Sequence, residues 1–299
     1  MLQDIKPHTI RNEYQNKKPE DSDFVLIFWN DFVYLKNGVL DEADKSDKSS
    51  LKIPSLKIPK FDDFLKIFPK IKDDARYIFS IDEKSCFLVN LETEIIAGKI
   101  EDMKLQRLRN VLGSEPEVLD FACATAFHLS KWYKTHQFCS CCGKKMKHEE
   151  DERALYCPRC DFVEYPKIAP VVIVGVRDDE ELLLVKNVGA AESGYKNYAL
   201  VAGFVEIGET LEETVRREMM EEVGIRVKNI TYYKSQPWAF SESLLAGFFA
   251  DLDGDKTIHL DENELSEAIW VSRNEIPAPD SVMSLTGDMI EAFRTGKIE

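Results

Sequence analysis

No run of apolar residues in this chain is long enough to cross a bilayer as a helix, which takes about 20. The start, MLQDIKPHTIRNEYQ, also lacks the apolar centre of a secretory leader, so the cytoplasm is the expected compartment and no membrane partner is expected. Positive charge is scarce: 39 lysines and arginines stand against 54 aspartates and glutamates, a formal net charge of −15. Such a chain has no general affinity for nucleic acid backbones or anionic membranes. A small anionic substrate whose phosphates are met by metal ions stays open. With 299 residues and 44% apolar content, the chain is long enough for two domains with ordinary packed cores.

Seven cysteines in a chain expected to stay in a reducing compartment point to metal ligands or free thiols before disulfides. Four of them form Cys139-x2-Cys142 and Cys157-x2-Cys160. Two such knuckles can supply the four thiolates of a closed tetrahedral Zn²⁺ site, which is structural because no coordination position is left open. FCSCCGKKM followed by YCPRC therefore reads as a zinc ribbon holding one Zn²⁺ per chain. Cys141 lies inside the first knuckle with poorer spacing, and Cys86 and Cys123 are expected to be buried small residues.

The most informative segment is Gly203 to Ile225, GFVEIGETLEETVRREMMEEVGI. Thr210 and Glu213 make a capping box, so a helix should begin at about Leu211, and Gly224 is its natural stop. Leu211, Val215 and Met219 form an apolar stripe at helical spacing. Glu218 and Glu222 fall along the edge of that stripe, with Glu221 beside them. Carboxylates at a packing edge are unfavourable unless neutralised, and hard oxygen ligands suit Mg²⁺ or Mn²⁺. The plainer alternative is a solvated acidic helix with pairs such as Glu213–Arg217, but the charges lie on the wrong face for it.

The rest of the chain is organised around these anchors. FVLIFWNDFVYL has strand character, RYIFSIDEKSCFLVN suggests a strand pair, and VLDFACATAFHLSKWYKTH a helix leading to the first knuckle. Residues 41–60, with a doubled LKIP, read as an exposed loop or linker. APVVIVGV, ELLLVKN, NYALVAGF, LLAGFFADL and EAIWV read as strands of a mixed sheet, and SLTGDMIEAF as a closing helix.

The spacing G-x5-E-x7-R-E-M-x-E-E-x-G-I resembles the Nudix box of hydrolases that cut nucleoside diphosphates linked to another moiety. Downstream, SQPWAFSES (Ser235–Ser243) is similar to an array found in the NADH pyrophosphatase branch of that family, which also carries a zinc ribbon. Ala239 and Ser241 replace prolines of the array, which should loosen the loop. The resemblance implies an α+β chain: a Nudix α/β/α sandwich with a mixed sheet at 166–299, a zinc ribbon at 136–165, and an α+β domain at 1–135. It implies metal-dependent hydrolysis of the pyrophosphate of NADH or NAD⁺ to nicotinamide mononucleotide and AMP, in a homodimer. Removal of NAD caps from RNA 5′ ends by the same chemistry is the nearest alternative, then a Nudix hydrolase of another nucleoside diphosphate derivative.

By the same resemblance Glu218, Glu221 and Glu222 are the catalytic acids. Together with Glu264, preferred over Glu267, they would bind the Mg²⁺ or Mn²⁺. Gln236, Pro237, Trp238, Ala239, Phe240, Ser241, Glu242 and Ser243 would contact the substrate, as would Phe204, Tyr165 and Glu152. Trp238 and Phe240 suit stacking on a base, and Gln236 and Ser243 suit hydrogen bonds. The opposing possibility for the array is a buried turn whose aromatics only fill the core. Arg217 is read as holding the Glu209 loop against the helix. A nucleotide-sensing module with a decayed centre is a further alternative, against which the intact acids argue.

Overall fold

The computed structural model describes residues 1–37, 56–92, 102–113, 117–188, 198–278 and 283–298. The chain folds as two units, Met1–Leu2 with Ile168–Glu299, and Gln3–Lys167. Most of the loop expected at 41–60 lies outside the described residues.

In the Gln3–Lys167 unit the first strands are β1 (Ile10–Arg11), β2 (Phe24–Trp29), β3 (Phe32–Asn37) and β4 (Leu56–Lys57). β5 (Arg76–Ile81), β6 (Lys84–Asn90) and β7 (Met103–Arg107) complete a sheet in the order β1-β5-β6-β2-β3-β4, with β7 also on β3. FVLIFWNDFVYL is thus one hairpin, turning at Asn30 in the left-handed region that asparagine tolerates. The expected loop character fails at its end, because the second LKIP supplies β4, whose Leu56 is buried. A helical turn α1 (Leu108–Val111) precedes the long helix α2 (Glu117–Thr135), which runs toward the first knuckle as its periodicity predicts. The ribbon strands are β8 (Lys147–His148), β9 (Leu155–Tyr156) and β10 (Val163–Glu164). The ribbon's inner side, Cys139, Met146, Leu155 and Cys157, packs on Trp132 of α2. Cys86 and Cys123 are buried, and burial pushes both thiols up, so neither is reactive.

The second unit is built around β11 (Ala169–Asp178). Its run of four valines and Ile173 is buried on both faces, as a central strand requires. Alternate residues serve two cores. Val172, Val174 and Val176 meet Val215 and Met219 of α3 (Leu211–Glu222), and Val171 and Ile173 meet Leu285 and Met289 of α4 (Leu285–Arg294). The result is a three-layer helix–sheet–helix sandwich. Its other strands are β12 (Glu181–Asn187), β13 (Val201–Phe204), β14 (Val227–Trp238), β15 (Ser243–Leu252) and β16 (Leu265–Ser272). The order is β14-β15-β11-β12-β16 with β13 on β11; only β11 and β15 run parallel, so the sheet is mixed. β14 carries Pro237 within its pairing, which an edge strand tolerates. Among the described residues no helix is long and apolar enough to cross a membrane.

Candidate active site and zinc centre

The acidic helix forms as its cap predicts. Thr210 accepts from the Glu213 backbone N–H while the Glu213 carboxylate accepts from the Thr210 N–H at 2.8 Å. Gly224 follows the helix at φ +70°, the left-handed stop. Val215 and Met219 are fully buried, and they carry Glu218 and Glu222 inward with them: these glutamates are only 8% and 5% exposed. Burial is the largest cause raising both carboxyl pKa values. For Glu222, the charges of Glu218 and Glu264, a hydrogen bond to Glu218 and the charge of Asp261 add to it, and its pKa is pushed up to about 8. Two buried carboxyls thus share a site with too little positive charge.

Arg217 supplies what charge there is. Its Nε and Nη2 donate to the two oxygens of Glu209 at 2.7 and 2.9 Å, and Nη2 also donates to the Phe204 carbonyl at 2.9 Å. Its Nη1 donates to Glu218 at 2.7 Å and to Glu221 at 2.9 Å. The hydrogen bond from Arg217 is the largest cause holding the Glu209 carboxyl down at about 2. The clamp on the Glu209 loop is as the sequence suggests; the reach to Glu218 and Glu221 is additional.

Gly203 is not a turn glycine. It lies in β13, paired with Val172, and a Cβ there would come within 1.9 Å of the Glu218 carboxyl carbon. Space, not backbone freedom, demands glycine. The turn glycine is Gly208, at φ +98° with open space around it.

Glu264 bears on both buried glutamates through its charge. Glu267 is engaged elsewhere, paired with the Lys186 ammonium and accepting from the Tyr198 hydroxyl at 3.1 Å. Asp261 was not singled out from the sequence; its N–H donates to the Glu222 carbonyl at 2.9 Å. The acid-rich DENELSE run in which it sits, three residues before Glu264, was the available signal.

The SQPWAFSES array is not a buried turn throughout. Gln236, Pro237 and Trp238 end β14, and Trp238 pairs with Ser243 across a loop of Ala239–Glu242. Trp238 and Phe240 meet edge to face with centroids 5.5 Å apart, and Trp238 packs partly on the α4 core. Gln236 is fully buried. Its amide donates to the Met283 carbonyl at 2.8 Å and accepts from the Leu285 N–H at 2.7 Å, fastening the start of α4. Ala239 is buried and Glu242 takes a left-handed φ of 53°. Ser241, standing where the array has a proline, bonds Ser243 through their hydroxyls at 2.6 Å. The row Trp238–Ser243–Ala169 lies at the start of β11, three residues from Val172, Gly203's partner. Along the strand that is about 10 Å. The array and the Gly203–Glu218 contact therefore share one end of the sheet, on opposite faces of it by the alternation of β11, and Phe204 is half exposed. Tyr165 and Glu152 belong to the other unit, where the Tyr165 hydroxyl donates to Glu152 at 2.8 Å.

The four knuckle cysteines come together as predicted, with all four Sγ atoms within 4.8 Å of one another. Neighbouring sulfurs stand 3.5, 3.6 and 3.7 Å apart. A Zn–S bond of about 2.3 Å gives a tetrahedral edge of about 3.8 Å, so the donors fit zinc. Both knuckles turn alike: Gly143 N–H bonds the Cys139 carbonyl at φ +71°, and Asp161 N–H bonds the Cys157 carbonyl at φ 54°. Cys141 stays outside the cluster, exposed.

Comparison with known proteins agrees with this geometry. The NUDIX domain model matches residues 166–293, and the NADH pyrophosphatase zinc ribbon domain model matches 134–165. The chain is 42% identical over 170 residues to the NAD-capped RNA hydrolase NudC of Photobacterium profundum, covering 57% of this chain and 62% of that protein. It is 42% identical over 172 residues to the protein of that name from Klebsiella pneumoniae, covering 57% and 64%. For the Enterobacter protein of that name the figures are 41% over 180 residues, 58% and 67%. The chain thus spans somewhat less than two thirds of the first two relatives. On these matches and this fold, the chain belongs to the Nudix family, in the branch that carries the NADH pyrophosphatase zinc ribbon.

Proposed function

We propose that the protein hydrolyses the pyrophosphate of NADH and NAD⁺, giving nicotinamide mononucleotide and AMP, and that it removes NAD caps from RNA 5′ ends by the same chemistry. The observation that carries this is the buried Glu218–Glu222 pair on the Nudix helix, at the same end of the sheet as Trp238 and Phe240. The relatives' names support the NAD end of the substrate and the capped RNA.

In this reading Glu218, Glu221, Glu222 and Glu264 hold Mg²⁺ or Mn²⁺. Two buried carboxyls, one kept protonated by its burial and its acidic neighbours, suit a hard dication. Such an ion, when bound, offsets pyrophosphate charge and makes an attacking water more acidic. Arg217 aims Glu218 and Glu221. Gly203 leaves room for the Glu218 carboxylate, and the emptiness at its Cβ position sets where that group stands. Trp238 and Phe240 receive a planar ring, with Phe204 beside them; Pro237, Ala239, Ser241, Glu242 and Ser243 shape the loop. Gln236 acts on the substrate through that loop's anchorage to α4. Tyr165, like Phe204, is a proposed contact at the nicotinamide end, and Glu152 is a proposed substrate contact. The working division is 1–135, 136–165 and 166–299, acting as a homodimer in the cytoplasm with one structural Zn²⁺ per chain.

The test is product analysis with NADH, NAD⁺, ADP-ribose and NAD-capped RNA, each with Mg²⁺ or Mn²⁺. Two mononucleotides, or AMP-type RNA 5′ ends, are expected. Release of free nicotinamide contradicts cleavage within the pyrophosphate.

A further inference from the structure

Residues 121–148 hold five lysines and three histidines and not one acid, in a chain whose formal charge is −15. Three of those lysines, Lys144, Lys145 and Lys147, lie in the zinc ribbon, all exposed. Among the described residues none of the three has an ion-pair partner at salt-bridge distance.

The ribbon's register sorts its side chains onto two faces. Phe138 bridges Lys145, and Lys147 pairs with Tyr156, which pairs with Val163. Directly paired residues share a face, and so do residues two apart. Phe138, Lys145, Lys147, Tyr156 and Val163 therefore form one surface of two adjacent rungs, about 7 Å apart. The opposite face is spent on the core: Met146 and Leu155 pack on Trp132. On the outer surface Phe138 is 63% exposed and Val163 37%, with Tyr156 half-buried. A phenylalanine that exposed, flanked by cations, is not core filling.

We infer that this outer face binds single-stranded RNA, the strand trailing from an NAD cap; the inference rests on the capped-RNA part of the function proposed above. Aromatic faces that accept any base, interleaved with lysines that follow phosphates, are what sequence-tolerant single-strand binding requires. The chain's net charge opposes general nucleic acid binding, so a local cationic surface is the place where such contact is affordable. The rival account is internal: a zinc held by four thiolates is formally dianionic, and the lysines would only balance it, as Arg159 nearby also does.

The experiment uses the full-length, zinc-loaded protein with Lys145→Ser/Lys147→Ser and Phe138→Ser, and Lys66→Ser/Lys70→Ser as a control on exposed lysines elsewhere. The probes are a labelled oligouridylate of about 12 nucleotides, followed by anisotropy, and the same oligomer with an NAD cap as substrate. Both test variants should weaken oligomer binding about tenfold, and Phe138→Trp should retain it. Losing two phosphate contacts should flatten the slope of log K against log salt by about 1.4. KM for the capped oligomer should rise with kcat kept, while kcat/KM for NADH stays as in the parent. Oligomer affinity unchanged in both variants overturns the inference. So does a lysine variant that loses zinc while keeping oligomer affinity, which would assign the lysines to the metal. If neither NADH nor capped RNA is cut yet oligomer binding responds as expected, the proposed function fails and the surface stands.

Discussion

Gly203→Ala adds one methyl group at the most crowded point of the candidate site. The new Cβ would sit 1.9 Å from the Glu218 carboxyl carbon and Oε1, and 2.3 Å from Oε2. Ordinary contact begins at 3.4 Å, so the carboxylate must retreat by roughly 1.5 Å. That retreat pulls Glu218 from its 2.7 Å hydrogen bond with Arg217 and from wherever it meets a cation. A misplacement on the order of 1 Å costs about 10²-fold in rate, or about 2.7 kcal/mol in the barrier. The effect on the fold should be smaller. Overpacking costs about 1–3 kcal/mol, part of which is offset by the roughly 0.5–1 kcal/mol that alanine gains over glycine in a strand. The assay is kcat/KM for NADH at saturating Mn²⁺, with Mn²⁺ affinity and Tm measured alongside. The expected pattern is a large loss in turnover, weaker Mn²⁺ binding and a Tm within a few degrees of the parent. Gly208→Ala should behave oppositely: at φ +98° with nothing near its Cβ, it should lose stability while disturbing Glu218 far less. Turnover and Mn²⁺ affinity both preserved in Gly203→Ala would refute the reasoning, since Glu218 would then be neither held by that gap nor needed.

Four further outcomes are expected. Glu222→Gln keeps the shape of the side chain but removes its charge, and should lower kcat by about 10²-fold or more with little change in KM; near-parental turnover at saturating metal removes Glu222 from the ligand set. Cys157→Ser should lose zinc and destabilise the ribbon, against about one zinc per chain in the parent by elemental analysis. Trp238→Ala should cost about 1–3 kcal/mol in kcat/KM for NADH and much less for a small pyrophosphate without a second ring; equal losses would assign Trp238 to the fold. The metal-free protein should have a distinctive pH dependence. Glu222 has a folded pKa of about 8, against about 4.3 unfolded, so the folded state holds an extra proton between those values and stability falls as pH rises through that window. Glu209, held at about 2, acts in the other direction, and its stabilisation is lost only as pH falls below about 4 toward 2. Mg²⁺ or Mn²⁺ should abolish the decline between pH 5 and 8 and release protons on binding; a flat metal-free Tm over that range contradicts the assignment of Glu222.

Much of the fold was legible because its signals are local. The capping box at Thr210 and Glu213, the stripe of Val215 and Met219, and the two knuckles each declare themselves within a few residues. So does the apolar run of β11 as a strand, though which of its positions serve which helix does not. What escaped depends on register. No spacing rule says that Gly203 will face Glu218 across a strand-to-helix contact, so its need for space is not written in the local sequence. Gln236 offers the same amide whether to a substrate or to a helix start, and only the placement of Met283 and Leu285 distinguishes the two. Pro237 argues against a strand unless the strand is known to be at an edge, which is a fact of sheet order and not of composition.

The electrostatics of the acidic helix follow from counting the donors of one guanidinium. Arginine has five N–H groups, and in Arg217 each has an acceptor: two on Glu209, one each on Glu218, Glu221 and the Phe204 carbonyl. None is left for Glu222, the most buried of the three candidate acids, so nothing offsets the burial and the charges of Glu218 and Glu264 that push its carboxyl pKa up to about 8. All five of the arginine's bonds are spent on Glu209, Glu218, Glu221 and the Phe204 carbonyl, so the fork does not serve Glu222 as well. A lysine in its place, with three donors, would leave at least two of these acceptors unmet. In the proposed function a hard cation would supply the neutralisation missing at Glu222, held with Glu264, whose charge bears on the same carboxyl. The same geometry gives a reason for the fixed position of Glu209. By taking the Nε donor and one Nη2 donor, it leaves Nη1 alone to serve Glu218 and Glu221.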